Sequence, residues 1–222
     1  MPTLYLVRHG QTDWNSEGRL QGHADRPLNT IGRIQATAVG HRLASVPVDA
    51  IYASDLVRAM ATARAIAVYH GLAVIPERRM REVSYGDWEG EKISDLAKRY
   101  PQELAGWRSD PPTYLPPGAE PQHAVRQRVS AFLQEMYMRP PDEQIVLVAH
   151  GNSLRVLLSL ISPWPDSRRQ RPVVDTASLT KVILSPSRGA IVMLNDRSHL
   201  LEVDELMHVA APIPAGHEPV AV

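Results

Sequence analysis

Two stretches of the chain end alike: LYLVRHG, Leu4 to Gly10, and IVLVAHG, Ile145 to Gly151. Each is a short apolar run that stops on a histidine followed by a glycine, and in the first Arg8 stands directly before His9. If the two runs are neighbouring strands of one sheet, His9 and His150 emerge side by side at its edge. In an open parallel sheet, ligands bind beyond the carboxyl ends of the strands. Arg8, His9 and His150 fall there, with Arg58 shortly after a run at Ala50 to Ala53 and Glu82 after a run at Ala73 to Pro76. Two guanidiniums offer planar forks of N–H donors suited to phosphate oxygens. A helix N-terminus after Ser54 adds partial positive charge. Taken singly, an arginine early in a helix is usually solvated and a histidine after a strand is usually structural. His23, His41, His70, His123, His208 and His217 are read in that ordinary way. Five polar groups gathered on one rim are different, because burying unpaired charges together is costly and an anionic ligand offsets it.

The elements that must position these groups follow from periodicity. Thr3 to Val7 and Ile145 to Ala149 are Leu/Ile/Val-rich without alternation, as strands buried on both faces are. Leu56, Met60, Ala63 and Ala67 recur at helical spacing, with Ser54 expected as N-cap and Asp55 in the first turn. Val125, Val129, Leu133 and Met136 mark another helix, and Thr30 to Ala44 and Asn152 to Ile161 two more. Strands alternating with helices predict an α/β fold, a three-layer α/β/α arrangement with a mostly parallel central sheet. Ser178 to Leu184 and Ala190 to Leu194 read as a strand pair joined by the turn PSRG. Pro101 to Pro121 holds six of the nineteen prolines, so it is expected to be an irregular excursion. The predicted organisation is a single domain over 1–207 with an inserted irregular or helical cap at about 85–125. A Pro/Ala-rich C-terminal tail follows at 208–222.

Composition narrows the function. The chain has 222 residues, with 24 Lys plus Arg against 24 Asp plus Glu. No overall basicity suggests nucleic acid, and no polybasic run suggests a membrane surface. Cysteine is absent, which excludes a disulfide framework or a thiolate zinc site. No stretch resembles a signal peptide or a membrane span, so a cytoplasmic protein is expected. Homodimerisation is left open.

The ordered blocks VRHGQTDWN (Val7 to Asn15), RLQGHADRPLNTIG (Arg19 to Gly32), SDLVRAMATA (Ser54 to Ala63), REVSYGDWEG (Arg81 to Gly90), AHGNSLR (Ala149 to Arg155) and LNDRSHL (Leu194 to Leu200) carry a resemblance. The chain resembles the histidine phosphatase superfamily, the phosphoglycerate-mutase-like or RHG family, from Leu4 to about Leu200. The resemblance implies that His9 is the nucleophile that takes up a phosphoryl group as phosphohistidine. It implies that Arg8, Arg58 and His150 bind phosphate oxygens, with Asn15, Gln21, Gly22 and Gly151. Glu82 would be the proton donor, and His199 falls in a block taken as structural. The physics agrees. A neutral imidazole is a competent nucleophile at neutral pH, and two arginines beside His9 would keep it unprotonated. They would also stabilise charge during in-line phosphoryl transfer. Glu82 must carry its proton before the ester bond breaks; apolar crowding favours that and the arginines oppose it, and the sequence does not choose.

The superfamily holds hydrolases and mutases. Its mutases typically carry an arginine after the catalytic glutamate, where this chain has Val83. Loss of that clamp on phosphoglycerate is worth roughly 1.5–3 kcal/mol for a hydrogen bond to a charged group. YGDWEG and RLQG also resemble the phosphatase branch, whereas AHGNSLR looks equally mutase-like. The expected activity is therefore a metal-independent phosphomonoester hydrolase acting on a small phosphorylated metabolite, with no cofactor. A cofactor-dependent phosphoglycerate mutase and a non-catalytic phosphate-binding protein are the alternatives. A two-histidine, one-carboxylate metal site from His9, His150 and Glu82 is disfavoured by the adjacent cations Arg8 and Arg58. Trp88, Trp107 and Tyr114 either face an organic moiety of the substrate or pack the cap. Pro117 to Pro121 reads PGAEP where phosphatases of this branch often show PGGES, so the substrate is not transferred. Arg168, Arg169 and Arg171 are read as a solvated basic loop.

Overall fold

The computed structural model describes residues 1–109, 113–162, 172–185, 189–201 and 203. The basic run at Arg168 to Arg171, most of the turn PSRG and the C-terminal tail lie outside these residues. Six strands form one sheet: β1 (Thr3–Arg8), β2 (Ala50–Ala53), β3 (Val74–Pro76), β4 (Gln144–Ala149), β5 (Leu179–Leu184) and β6 (Gly189–Asp196), in the order β3-β2-β4-β1-β5-β6. β1, β2, β3 and β4 run parallel, whereas β5 pairs antiparallel with β1 and β6 antiparallel with β5. The antiparallel pair at one edge is the expected late strand pair.

The central strands have no polar face because both of their faces are covered. Leu4, Leu6, Ile145 and Leu147 pack with helix α6 (Gln122–Tyr137) and helix α7 (Gly151–Ile161). Tyr5, Val7, Val146 and Val148 point the other way, onto helix α2 (Thr30–Leu43) and helix α3 (Val57–Ala67). This period-two division along strands buried on both sides gives the three layers. The short helix α1 (Asp13–Ser16) follows β1, capped by Thr12.

Two local expectations are corrected. Ser54 does not cap α3: the helix begins at Val57 with Leu56 at the cap, and the Val57 N–H donates to Asp25 Oδ1 at 2.7 Å. A distant loop supplies the cap, while the Ser54 hydroxyl meets His150 at 2.8 Å and accepts the Leu56 N–H at 3.4 Å. Nor is Pro101 to Pro121 irregular throughout. After helix α4 (Ile93–Arg99), helix α5 (Pro101–Arg108) starts on its proline, where the missing N–H costs nothing. Pro121 likewise occupies the cap of α6. Leu20, Tyr85, Trp88, Leu96 and Leu104 form a separate apolar cluster with Trp107 and Tyr114 against it. Trp88 stacks on Tyr114 at 5.5 Å and meets Trp107 edge-on at 5.8 Å. The aromatics of this region therefore pack one another. Among the described residues, no helix is long and apolar enough to cross a membrane.

Candidate active site

The β1–β4 register sets the geometry. Arg8 pairs with Ala149, so the next residue on each strand is a histidine, and the His9 N–H still donates to the Ala149 carbonyl at 3.0 Å. The two imidazoles lie 5.0 Å apart between centroids, tilted at 58°, and both are buried. His9 Nδ1 is 2.7 Å from the Gly10 carbonyl. A carbonyl only accepts, so Nδ1 carries the hydrogen and Nε2 presents a lone pair. His150 is fixed from both sides. Arg58 Nε–H donates to its Nδ1 at 3.2 Å, which leaves Nε2–H to donate to Ser54 Oγ.

Arg58 is fully buried, and its guanidinium also donates to the carbonyls of Ala24 and Gly22, at 2.9 and 2.8 Å. This draws the loop around Gln21 and Gly22 against the site. Gly22 has φ +53°, and a Cβ there would collide with the Glu89 carboxylate, so glycine is required on two counts. Glu89 in turn accepts the N–H groups of His23, Ala24 and Tyr85 and the Ser84 hydroxyl, tying that loop to the segment after Glu82.

Arg8 Nη1 donates to the Val174 carbonyl at 2.7 Å, while Arg8 Nε is buried with no partner. An unpaired buried guanidinium N–H is costly and marks a place for an acceptor. Gly151 lies against two guanidiniums: a Cβ there would stand 3.6 Å from Arg8 Cζ, an ordinary contact, and 3.3 Å from Arg155 Nη1. Glu82 is buried beside the N-terminus of α7, its carboxylate accepting the Val83 N–H at 2.9 Å and the Asn152 N–H at 3.2 Å. Its backbone carbonyl is held by His23 Nε2 at 2.9 Å and Arg128 Nη2 at 3.1 Å.

His9, His150, Arg8, Arg58, Glu82, Gly22 and Gly151 thus form one connected cluster. Asn15 lies in α1 and Gln21 on the loop that follows it, and among the described residues no hydrogen bond joins either to His9, His150, Arg8, Arg58 or Glu82. Asn15 Oδ1 accepts from the Thr12 N–H and hydroxyl, so only its amide NH₂ is available to a ligand. The Gln21 side-chain oxygen is buried and unpaired. Among the described residues, no group of three or more His, Cys, Asp or Glu is arranged to hold a metal ion. Sequence reasoning missed the Ser54–His150 contact, Glu89 and Arg128. Arg128 pairs with Glu120 and donates to the carbonyls of Arg79, Arg81 and Glu82. No sequence pattern marks a residue that works through other residues' carbonyls.

Burial first, then Arg58 and other nearby positive groups, hold His9 and His150 well below the ordinary histidine pKa. For His9 the arginines were the expected cause; burial is the larger one. Burial likewise lowers the pKa of Arg8 and Arg58. The histidines tie stability to pH. The unfolded chain protonates them below about pH 6.5 while the folded chain resists, so stability falls as the pH drops through that value. Each such group contributes a slope of up to about 1.4 kcal/mol per pH unit, roughly 2.7 kcal/mol for the pair. Urea unfolding between pH 7 and 5 is expected to show this decline, with a slope shallower by about one proton in His150→Asn. A midpoint that does not move over this window would contradict it.

The profile described as the histidine phosphatase superfamily (branch 1) matches residues 4–197. Phosphoserine phosphatase 1 of Hydrogenobacter thermophilus is 32% identical over 202 residues, covering 91% of this chain and 96% of that one. A probable phosphoglycerate mutase GpmB of Klebsiella pneumoniae is 36% identical over 186 residues, covering 82% and 85%. The solved structure of Bacillus stearothermophilus YhfR superposes with a TM-score of 0.82 at 31% identity, covering 90% of this chain and all of that one. Family profile, full-length relatives and fold agree, and the chain belongs to the histidine phosphatase superfamily.

Proposed function

We propose that the protein is a metal-independent hydrolase of small phosphomonoesters, working through a phosphohistidine at His9. The observation that carries this reading is His9 itself: a buried imidazole whose Nδ1–H is committed to Gly10, leaving Nε2 nucleophilic beside the buried guanidinium of Arg58 and the buried Nε of Arg8. Arg8 Nε, left without a protein acceptor, and the positive charge of Arg8 and Arg58 suit a tetrahedral dianion. In the first step Nε2 attacks phosphorus, the P–O ester bond breaks, and the leaving oxygen takes a proton from Glu82. In the second, water attacks phosphorus, Glu82 accepts the water's proton, and the P–N bond breaks to release phosphate.

Hydrolysis is favoured over mutase chemistry by Val83. That side chain packs against the apolar clusters of the body and of the Trp88 region, and supplies no cation for a phosphoglycerate carboxylate. The relative named as a probable phosphoglycerate mutase keeps the mutase as the second reading. The test is a screen of phosphorylated metabolites in strong chelator, with phosphoserine and 3-phosphoglycerate included, followed by 3-phosphoglycerate with 2,3-bisphosphoglycerate. Phosphate release from at least one monoester, exceeding any isomer exchange, is expected. Exchange outrunning release would establish the mutase. Phosphate binding without turnover of any monoester would establish a non-catalytic binder.

A further inference from the structure

We infer that Asn195 is a positioning residue for Arg8, acting through the segment from Pro172 to Ser178. The inference rests on the reading of Arg8 as a phosphate ligand. Two carbonyls of this segment hold guanidiniums: Val174 accepts Arg8 Nη1 at 2.7 Å and Pro172 accepts Arg155 Nε at 3.1 Å. The segment belongs to no helix or strand, so no regular ladder aims these carbonyls. Yet Val174 and Ala177 are buried.

Side chains do the aiming. The Asp175 N–H donates to Asn195 Oδ1 at 2.8 Å, and Asn195 Nδ2–H donates back to Asp175 Oδ2 at 3.0 Å. This two-way exchange fixes the residue immediately after Val174. Downstream, the Ala177 N–H donates to the Arg8 carbonyl at 2.9 Å, and the Ala177 carbonyl accepts His199 Nε2–H at 2.9 Å. Ala177 has φ +54°, unfavourable for alanine, and these contacts hold it there.

The sheet is deformed to offer Asn195. Between the pairs Leu179–Asp196 and Lys181–Met193, β6 advances three residues while β5 advances two. The extra residue makes a bulge, and Asn195 stands in it at φ +53°, a conformation asparagine tolerates better than most residues. Its N–H donates to Thr180 Oγ1 at 3.1 Å, leaving the side-chain amide to Asp175. A bulge that re-aims one amide toward a buried loop behind a candidate ligand is a device for placing that ligand.

The experiment is a swap. Asn195→Asp alone sets two carboxylates facing each other and removes the donated hydrogen. The double variant Asn195→Asp, Asp175→Asn restores both bonds with the roles exchanged. Asn195→Gly keeps the backbone conformation and loses both side-chain bonds. Calorimetric affinity for inorganic phosphate, kcat and KM on the best monoester, and melting temperature are measured for each. Asn195→Asp and Asn195→Gly should weaken phosphate binding and kcat/KM by roughly tenfold to a hundredfold, as small misplacements of a site do. The double variant should return to within about threefold of wild type. Variants that melt lower yet bind phosphate like wild type would overturn the inference, as would a double variant no better than the single. A wild type that binds phosphate without turnover would overturn the proposed hydrolysis and leave the Asn195 comparison readable.

Discussion

Replacing His9 by alanine is expected to lower kcat/KM by about 10⁴-fold or more, the scale seen when a covalent nucleophile is removed. The structure supplies no substitute. His150 lies next to it, but both of its ring nitrogens are spoken for, Nδ1 by Arg58 and Nε2 by Ser54. Phosphate binding should survive, because Arg8 Nε and the Arg58 clamp of Gly22 do not depend on His9. The variant is therefore expected to be a folded phosphate binder that does not turn over. The wild type, quenched during turnover and held at alkaline pH, should carry an acid-labile phosphoryl group on His9 that the variant lacks. Turnover by the variant at a rate near that of wild type would end the covalent mechanism.

The sequence disclosed the parts of this site that belong to strand ends. Short, Leu/Ile/Val-rich apolar runs without alternation read as strands buried on both faces, and a shared His-Gly ending made the pairing of His9 with His150 testable before any geometry was known. Arg58 was legible for the same reason, as a cation in the first turn past a strand. The misreadings come from tertiary partners that override local rules. Ser54 has the residue type and position of an N-cap, but a buried imidazole claims its hydroxyl and Asp25 caps the helix from across the site. The prolines suggested an irregular chain path, whereas Pro101 simply begins a helix. The supports were invisible for a deeper reason. Arg128, Glu89 and Asn195 act on backbone groups contributed by distant residues, and every residue has such groups. Only the fold reveals which of those groups converge.

Glu82→Gln should separate the two chemical steps by leaving group. With an alkyl phosphate the departing oxygen needs a proton, and loss of a general acid costs about 10²–10⁴-fold. With p-nitrophenyl phosphate the leaving aryl oxide needs none, so phosphorylation of His9 should remain fast. Hydrolysis of the phosphohistidine still requires a base for water, which glutamine cannot provide. The expected trace is a burst of nitrophenolate equal to the enzyme present, followed by slow turnover. The substitution suits the site sterically: an amide oxygen in place of Oε1 can keep the Val83 and Asn152 N–H bonds. It also removes a carboxylate whose charge acts on both Arg8 and Arg58, so phosphate should bind more tightly than in wild type. These two signs, slower chemistry with tighter phosphate, distinguish loss of a proton carrier from collapse of the pocket, which would weaken both. An equal slowing of both substrates with no burst would assign the proton transfers to another group.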